Sequence, residues 1–333
     1  MSEPTISVIG ATGVVGRQVV QALFLRDHPA EAVRAYSSER GAGEELDYGE
    51  DSLVVEKVGA DSFKNAQVAI LAVPPEVARP LAEQAQLAGV WVVDCSGAFR
   101  LDEKVPLVVP GVNDGVLDRP FSGRIVTLAQ AATQAFTRAL EPLRAQFGLA
   151  FADATVLCGA AVHGNAGVAQ LSKQTAELMN GKEPDLEVFP HRLAFNVIPA
   201  VGALENGLSA HERAMLVEAA RVWGGEKLPA LTATSVLVPT YHGVTLLLSA
   251  HLGRRVDADG VRACLKADTG LKLLDTPEEN VFPMPMLTTD DGSVHVGRVR
   301  ALGERVQLVA CVDNAFRVAD SALDIAFELA DRD

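Results

Sequence analysis

Three glycines near the start of the chain constrain its fold more than any other feature. Gly10, Gly13 and Gly16 follow an apolar run at residues 5–9, which predicts a strand, and precede a helical pattern at residues 17–25. Glycines in such a turn allow backbone N–H groups to approach a pyrophosphate, and the helix N-terminus adds partial positive charge. A tight strand-to-helix turn without a ligand is the structural alternative. We predict a dinucleotide loop with the candidate residues Gly10, Thr12, Gly13, Val14, Val15 and Gly16.

The first part of the chain alternates short apolar runs with helical patterns. Strands are predicted at residues 33–36, 68–73 and 90–94, and a helix is predicted at residues 77–88. Continuous apolar strands separated by helices are typical of a parallel sheet that is covered on both faces. The fold class predicted for this part is therefore α/β, with a Rossmann-like nucleotide-binding domain.

The second part of the chain shows several strand patterns in succession without helices between them. Strands are predicted at residues 154–158, 232–237, 243–251, 295–301 and 306–312, and helices at 166–179, 210–222 and 257–267. This order predicts an α+β domain with a mostly antiparallel sheet. A last helix, at residues 320–329, could pack back on the first domain. We therefore assign residues 1–130 plus 315–333 to the nucleotide-binding domain and residues 131–314 to a second domain.

The charge balance excludes several classes of partner. Lys plus Arg total 29 against 43 for Asp plus Glu, which gives a net charge of -14. Such a surface repels nucleic acid and anionic lipid, although a local basic pocket for a small anionic metabolite remains compatible with it. The N-terminus has no signal-peptide pattern, and no apolar stretch reaches the length of a membrane helix. The sequence therefore predicts a cytoplasmic protein with neither nucleic acid nor a membrane as partner.

The four cysteines, Cys95, Cys158, Cys264 and Cys311, lie far apart in the sequence. They form no CxxC pair and no Cys/His cluster with metal-ligand spacing. This distribution predicts buried thiols in a reducing compartment and no metal site.

The residues after the second predicted strand bear on the choice of cofactor. Ser37, Ser38 and Arg40 offer hydroxyls and a guanidinium, which suit the ribose 2′-phosphate of NADP. Glu39 is the counter-argument, because a carboxylate at this place favours NAD. NADP is the predicted cofactor and NAD the alternative, while Arg40 as a solvated loop charge is the structural alternative.

Several motifs recur in the order known from one enzyme family. They read GATGVVG, SSERGAG, SGAFRLDEKVPLVVPGVN, AFNVIP, GRVR and VDNAFR, and they span essentially the whole chain. On these motifs the chain resembles aspartate-semialdehyde dehydrogenase, a family of amino-acid biosynthesis. The stretch at residues 192–212 is similar to the Usg branch, a paralogue of the dehydrogenase. The resemblance implies a nucleotide-binding domain closed by the C-terminal helix and a second domain that forms a homodimer.

The resemblance also implies a particular set of catalytic groups. The family's reaction uses a cysteine thiolate on an aldehyde, hydride transfer to NADP, and attack of phosphate on the resulting thioester. Because the thiolate is the nucleophile, an imidazole must take its proton. Arginines hold the carboxylate and phosphate groups of such substrates in bidentate fashion.

The matching segments of this chain lack these groups. The resemblance places Ala131 at the cysteine, Val244 at the histidine, Leu237 at the substrate arginine and Leu157 at the glutamine. Removal of one member of a nucleophile–base unit already lowers the rate by orders of magnitude. The chain is therefore predicted to be a pseudoenzyme for the family reaction, with no catalytic residue of the family kind.

Other family positions retain polar residues. Arg100 matches the anion-binding arginine, Glu218 a substrate-domain carboxylate, Arg221 a lysine, and Asn314 an asparagine near the nicotinamide. Arg100 could instead form a structural ion pair. Glu218 and Arg221 lie three residues apart on a predicted helix, so a solvated surface pair is the alternative for them.

In two alternative hypotheses the protein is an active enzyme. One is an NADP-dependent oxidoreductase that acts on an aldehyde or ketone by direct hydride transfer, with His242, His163 or Tyr241 as the acid. His242 would share the side of Val244 in an extended chain, although Gly243 permits a bend.

The other alternative is a dehydrogenase with a displaced nucleophile. Cys158 is the nearest cysteine in sequence to a family site position. Neighbours in a strand point to opposite faces, so Cys158 faces away from the site if Leu157 faces it.

Overall fold

The computed structural model describes residues 3–225 and 227–332 of the 333-residue chain. The chain divides into two compact units, one formed by Met1–Gln130 with Ala315–Asp333 and the other by Ala131–Asn314. Within the described residues, no helix is both long and apolar enough to cross a membrane.

The first unit contains a seven-stranded sheet in which every pairing is parallel. The strand order in the sheet is β5-β2-β1-β6-β7-β9-β8, and a separate hairpin is formed by β3 and β4. The strands are β1 (Ile6–Ile9), β2 (Val33–Ser37), β3 (Glu45–Tyr48), β4 (Asp51–Val54), β5 (Glu56–Lys57), β6 (Val68–Leu71), β7 (Trp91–Asp94), β8 (Leu107–Val108) and β9 (Ile125–Leu128).

Helices α1 (Val14–Leu25) and α2 (Pro75–Leu87) connect strands of this sheet. Every residue of β1 and of β6 is buried, as is expected for central parallel strands with both faces covered. The α/β, Rossmann-like prediction for this part is therefore confirmed. The sequence pattern did not predict β3, β4, β5, β8 or β9.

The second unit contains a six-stranded mixed sheet in the order β13-β10-β14-β17-β16-β15. Its strands, with those of a small hairpin formed by β11 and β12, are β10 (Leu149–Cys158), β11 (Leu204–Glu205), β12 (Leu208–Ser209), β13 (Ala230–Leu237), β14 (Val244–Leu252), β15 (Leu271–Leu273), β16 (Val294–Leu302) and β17 (Arg305–Val312). Its helices are α3 (Ala131–Phe147), α4 (Gly164–Met179), α5 (Ala210–Trp223) and α6 (Ala258–Lys266). The sequence pattern did not predict α3.

The prediction of a mostly antiparallel sheet is wrong. The three central pairings, β10–β14, β14–β17 and β17–β16, are antiparallel, whereas β10–β13 and β15–β16 at the two edges are parallel. A parallel pair requires a long crossover connection, and α4 and α5 both lie in the chain between β10 and β13. Strand patterns in a sequence do not reveal which strand pairs with which.

The two faces of the second sheet differ in burial. Residues of β10 alternate, with Ala152, Ala154, Val156 and Cys158 buried and their neighbours only half-buried. Helices α3 and α5 pack on this sheet. On the opposite side, which we call the open face, the side chains of Thr245, Leu247, Ser249, Gln307 and Val309 are half-buried or exposed. Leu247 retains 47% of its surface.

The last helix of the chain, α7 (Asn314–Ala330), returns to the first unit from Ala315 onward. The guanidinium of Arg26, the residue that follows α1, bonds to Asp320 and, at 2.8 Å, to Asp324. Arg332 donates to the carbonyl oxygen of Leu117 at 2.7 Å. The N-terminal unit is therefore completed by the C-terminal end of the chain.

Candidate functional site

The loop between β1 and α1 is a tight turn that admits only glycine at two positions. Gly10 has φ of 91°, and its N–H donates to the carbonyl oxygen of Tyr36 at 2.8 Å. A Cβ atom on Gly10 would lie 2.3 Å from the carbonyl oxygen of Ala72, and one on Gly16 would lie 2.1 Å from that of Gly10. The strand, the loop and the helix therefore approach each other more closely than any side chain permits.

The loop leads directly into the N-terminus of α1. Gly13 is the residue that precedes the helix, and no side-chain cap or acidic residue occupies the first turn. Val14, Val15 and Gly16 form that turn, so their backbone N–H groups point toward the loop. An uncapped helix N-terminus with glycines beside it is suited to an anion such as a pyrophosphate.

A cavity of about 340 Å³ lies at the carboxyl ends of β1, β2 and β6. Of the predicted cofactor residues it is lined by Gly10, Thr12, Gly13, Ser37 and Ser38. Ligands of open parallel sheets bind at this edge of the strands. The cavity and the glycine loop together fit a dinucleotide.

Sequence reasoning missed the apolar wall of this cavity. The wall is formed by Ile9, Val58, Ala72, Val73, Pro74, Val77 and Leu81. In the sequence these residues look like ordinary core positions, and only their place directly after buried strands could have indicated a role. Among the predicted cofactor residues, Val14, Val15, Gly16, Arg40 and Asn314 do not line the cavity.

A group of charged residues adjoins the cavity-lining residues Ser38 and Val58 in the sequence. Glu39 forms an ion pair with Lys57 of β5, which lies beside Ser37 in the sheet register. Ser37 is buried and its hydroxyl donates to the carbonyl oxygen of Ser38 at 3.0 Å, whereas Arg40 is exposed. The carboxylate that argued for NAD is therefore neutralised by a neighbouring lysine.

Arg100 lies after β7 in the first unit, and backbone groups hold its guanidinium. Its Nε donates to the carbonyl oxygen of Leu128 at 2.8 Å, and one Nη donates to that of Cys95 at 3.4 Å. Two of the five N–H donors of the guanidinium thus point to carbonyl oxygens. These bonds fix the direction of the side chain, which both an anion-binding role and a structural role require.

In the second unit, Ala131 begins α3 and is buried. Two residues further on, the hydroxyl of Thr133 donates to Glu218 Oε2 on α5 at 2.8 Å. Glu218 is only 1% exposed. The interpretation of Glu218 and Arg221 as a solvated surface pair is therefore wrong for Glu218, which packs between two helices.

The strand register places three of the family positions in relation to one another. Cys158 of β10 lies directly opposite Leu237 of β13 and Val244 of β14, and all three side chains are buried on the covered face. Leu157 lies opposite Val236 and Thr245, on the other face. Leu157 therefore does not share a face with Leu237 and Val244, and Cys158 does.

Cys158 also contacts a histidine that the sequence did not single out. Its Sγ lies 4.0 Å from His211 Nε2, and His211 Nδ1 lies 2.8 Å from Ser235 Oγ. The N–H of Ser235 donates to Glu212 Oε1 at 2.6 Å. Burial raises the pKa of the Cys158 thiol to about 12, which disfavours the thiolate.

The other candidate acids lie at the ends of the strands of this unit. Gly243 has φ of 89°, so the chain bends before β14 and leaves His242 and Tyr241 exposed. The side chain of Asn314 accepts the N–H of Gly243 at 2.9 Å and holds this bend. His163 precedes α4, where burial lowers the pKa of its imidazole.

The cysteines and the potential metal ligands are the remaining candidate reactive side chains. All four cysteines are free thiols and all are buried, as the sequence predicts. Within residues 3–225 and 227–332, no three His, Cys, Asp or Glu side chains are grouped so that they could hold a metal ion.

The parallel sheet, the glycine loop and the cavity at its edge define a protein of the NAD(P)-binding Rossmann type. Two family models match the chain, and they are described as the semialdehyde dehydrogenase NAD binding domain (residues 5–119) and the semialdehyde dehydrogenase dimerisation domain (residues 140–317). The chain belongs to the aspartate-semialdehyde dehydrogenase family, which confirms the resemblance seen in its sequence.

Relatives from both branches of the family are similar over most of the chain. Aspartate-semialdehyde dehydrogenase of Aquifex aeolicus is 30% identical over 89% of this chain and 87% of the relative. A USG-1 protein homolog of Pseudomonas aeruginosa is 31% identical over 96% and 94%, respectively. The crystal structure of aspartate semialdehyde dehydrogenase II from Vibrio cholerae, complexed with ASA, has a TM-score of 0.91 at 27% identity and covers 100% of this chain and 99% of that chain.

Proposed function

We propose that the protein is a Usg-type member of its family that binds NADP and forms a homodimer but does not catalyse the family reaction. The observation that carries this proposal is the row of buried side chains Leu237, Cys158 and Val244. The resemblance assigns the substrate arginine and the general base to two of these positions, and aliphatic side chains can replace neither group. The methyl group of Ala131 cannot act as a nucleophile either.

The nucleotide part of the proposal rests on the first unit. The backbone N–H groups of the loop and of the first turn of α1 would hold the pyrophosphate, and the apolar wall of the cavity would pack against a base. Ser38, Arg40 and Lys57 would face the 2′-phosphate, since Lys57 already neutralises Glu39. NADP supplies a hydride acceptor when it is bound.

The homodimer part rests on the second unit. The family model that matches residues 140–317 is described as a dimerisation domain, and the open face lies within these residues. We infer that a second copy covers this face, where Leu247 is 47% exposed. Sedimentation velocity should show a dimer that Leu247→Lys weakens, whereas Leu87→Lys, at a 90% exposed position of α2, should leave it intact. A monomeric wild-type protein would contradict this part.

The test of the catalytic part is a nicotinamide absorbance assay with NADP, phosphate and aspartate semialdehyde. The Aquifex aeolicus relative serves as the positive control. We expect turnover at least about 10⁴-fold below that of the control. Binding of NADP is measured separately by calorimetry, so that an inactive protein and an empty pocket give different results. Phosphate-dependent turnover near that of the relative would overturn the proposal.

One observation favours a second candidate, a dehydrogenase with a displaced nucleophile. Cys158 shares a face with Leu237 and Val244 and contacts His211, whose other ring nitrogen is oriented by Ser235. A nucleophile, a base and an orienting group in this order are the parts of a catalytic triad. His211 would take the thiol proton, and the sulfur would add to an aldehyde carbonyl. The burial of Cys158 and the raised pKa of its thiol argue against this candidate.

A cysteine substitution separates the two candidates. If Cys158 is the nucleophile, Cys158→Ala abolishes the phosphate-dependent turnover, and a thiol reagent inactivates both the wild-type protein and Cys264→Ala. Cys264→Ala is the matched control, because Cys264 is another buried thiol, on α6. Turnover that persists in Cys158→Ala would exclude Cys158 as the nucleophile.

A further inference from the structure

Arg17 lies beside the glycine loop and bonds to two separate parts of the chain. Its backbone N–H donates to the carbonyl oxygen of Gly13 at 3.0 Å, which places the residue one turn into α1. Side chains of a helix lean toward its N-terminus, so the guanidinium reaches back to the loop. There its Nε donates to the carbonyl oxygen of Thr12 at 3.2 Å, while one Nη bonds to Glu44.

Glu44 ends the segment that follows β2, residues 38–44, which we call the cofactor segment. The segment carries Ser38 and Arg40, two of the residues proposed to face the 2′-phosphate. The backbone of Glu44 is itself anchored, because its carbonyl oxygen accepts the N–H of Val55 at 2.8 Å. Its carboxylate therefore holds the guanidinium from a defined position.

The cofactor segment is in direct contact with the glycine loop. A Cβ atom on Gly41 would lie 2.8 Å from Thr12 Oγ1 and 2.7 Å from Ser37 Oγ, so only a residue without a side chain permits this approach. Thr12, Ser37 and Ser38 all line the cavity, and the contact therefore sets the distance between its parts. The two bonds of Arg17 span the same junction, although Arg17 does not line the cavity.

The exposure of this ion pair indicates what it can influence. The side chains of Arg17 and Glu44 are 46% and 40% exposed. An ion pair this exposed adds little to global stability. It can still determine the position of a local segment, because a local opening requires much less free energy than global unfolding. We therefore expect Arg17 to act on the cofactor segment and not on the stability of the whole unit.

We propose that Arg17 is a positioning residue, which holds the cofactor segment against the glycine loop and thereby favours NADP over NAD. This inference rests on the proposed nucleotide function of the first unit. Arg17 acts through Thr12 and Glu44, and contact with the cofactor is not part of its role. Ser38 and Arg40 meet a 2′-phosphate only while the segment is held, whereas NAD has no phosphate at this place and depends on the segment less.

Opposite signs of one effect separate this role from simple attraction between a guanidinium and a phosphate. If Arg17 acted by its charge alone, removal of the neighbouring negative charge in Glu44→Ala would strengthen the binding of NADP. If Arg17 positions the cofactor segment, Glu44→Ala releases the segment and weakens this binding. Glu45→Ala is the matched control, because it removes the same charge from the exposed next residue, on β3.

Isothermal calorimetry of the full chain measures the Kd for NADP and for NAD. We expect the Kd for NADP to rise about three- to tenfold in both Arg17→Met and Glu44→Ala, and that for NAD to rise less than about twofold. Arg34→Met is the control for the arginine, because it removes the same charge and a bond to the carbonyl oxygen of Lys64 at a position that does not line the cavity. Both control variants should change the Kd for NADP less than about twofold.

Hydrogen exchange of the ligand-free protein tests the positioning without a nucleotide. The N–H groups of Gly41 and Glu44 donate within the cofactor segment, at 3.1 Å to the carbonyl oxygen of Ser38 and at 3.2 Å to that of Gly41. They should exchange at least about threefold faster in Arg17→Met and in Glu44→Ala than in the wild-type protein, while thermal unfolding shows that both variants are folded.

The outcomes for the variants and for the wild-type protein are distinguishable. Unchanged exchange in Arg17→Met, or tighter binding of NADP by Glu44→Ala, would overturn the inference. A wild-type protein that binds no NADP would overturn the proposed function and with it the preference for NADP. The exchange rates of the ligand-free variants would then still decide whether Arg17 holds the cofactor segment.

Discussion

The two sheets differ at the strand ends where the candidate sites lie. The first sheet leaves a cavity there, whereas the second sheet fills the space with buried side chains. At the first edge, Gly10 and Gly16 keep the backbone bare, and a cavity of about 340 Å³ remains. At the second edge, Leu237, Cys158 and Val244 form a buried row with relative exposures of 1%, 0% and 3%. One edge keeps the room and the N–H donors that a ligand needs, and the other is packed like a core.

The difference matters because nucleotide binding and covalent catalysis need different groups from the protein. A dinucleotide loop depends on backbone groups and on missing side chains, and any substitution at Gly10 or Gly16 would damage it. A covalent active site depends on a few polar side chains, and aliphatic residues can replace them with little loss of packing. The proposed function therefore keeps nucleotide binding at the first edge and loses catalysis at the second, and the following experiments challenge that separation.

The strongest challenge is to introduce a cysteine and a histidine at the positions that the resemblance assigns to the nucleophile and the base. In the double variant Ala131→Cys with Val244→His, we expect turnover to stay on the order of 10²-fold or more below the Aquifex aeolicus relative. The physical reason is that Leu237 still offers no charge to a substrate carboxylate. The absorbance assay with and without phosphate measures the rate, and Ala131→Cys alone is the control. Turnover comparable to that of the relative would mean that a substrate can reach the strand ends of the second sheet, which would contradict the proposal.

Damage to the glycine loop tests the first edge. Gly16→Ala places a Cβ atom 2.1 Å from the carbonyl oxygen of Gly10. We expect the Kd for NADP to rise about tenfold or more, and the free energy of unfolding to fall by about 1–3 kcal/mol through overpacking. Calorimetry and denaturant unfolding measure the two effects. Gly59→Ala is the control, because nothing lies within 4 Å of its added Cβ atom. Unchanged affinity in Gly16→Ala would place the nucleotide elsewhere.

A charge cluster around the half-buried Asp291 in the second unit predicts a pH dependence of stability. Asp291 Oδ2 lies 2.8 Å from His295 Nε2 and 3.1 Å from Lys272 Nζ. Burial tends to raise the pKa of Asp291, but hydrogen bonds from His295, Ser293 and Lys272 outweigh it and hold this pKa well below its usual range. The ionised carboxylate therefore stabilises the folded state.

The substitution Asp291→Asn should lower the free energy of unfolding by about 1.5–3 kcal/mol at neutral pH. The difference in the free energy of unfolding between the wild-type protein and the variant should have its full value above a pH of about 4. It should become smaller below this pH, because the carboxyl of the unfolded state then binds a proton. Denaturant unfolding between acidic and neutral pH measures it. Asp290→Asn, at the exposed neighbouring position, should have little effect. A difference that is independent of pH would contradict the assignment.

The smallest expected effect concerns cofactor preference at the first edge. Lys57→Met removes the partner of Glu39 and one positive charge, so the Kd for NADP should rise by about two- to fivefold while that for NAD changes less. Lys64→Met, an exposed lysine elsewhere in the first unit, is the control. A larger loss for NAD than for NADP would show that Lys57 does not act on the 2′-phosphate.

The sequence predicts the first edge better than the second for a physical reason. The glycine loop is a local feature, because Gly10, Gly13 and Gly16 determine a turn within seven residues. The apolar wall at Val77 and Leu81 is not recognisable, since a helix face that lines a cavity has the same pattern as one that lines a core.

In the second unit the decisive contacts join residues that are distant in sequence. His211 meets Cys158 across 53 residues, and no periodicity indicates such a contact. The face on which Cys158 lies depends on the register with Val244, and a shift of one residue would exchange it with Leu157. Strands were predictable here, whereas their pairing and the resulting site were not.

The return of α7 to the first unit has a consequence for protein synthesis. The strands of the first sheet end at Leu128, but the helix that carries the partners of Arg26 begins at Asn314. At about 5–20 residues per second, a ribosome needs roughly 10–40 s to make the intervening residues. During this interval the nascent nucleotide-binding unit exposes the apolar surface that α7 later buries, while the uninterrupted second unit emerges whole. The later-made unit can therefore finish folding before the earlier one, and the nascent chain is most exposed to chaperones at its oldest end.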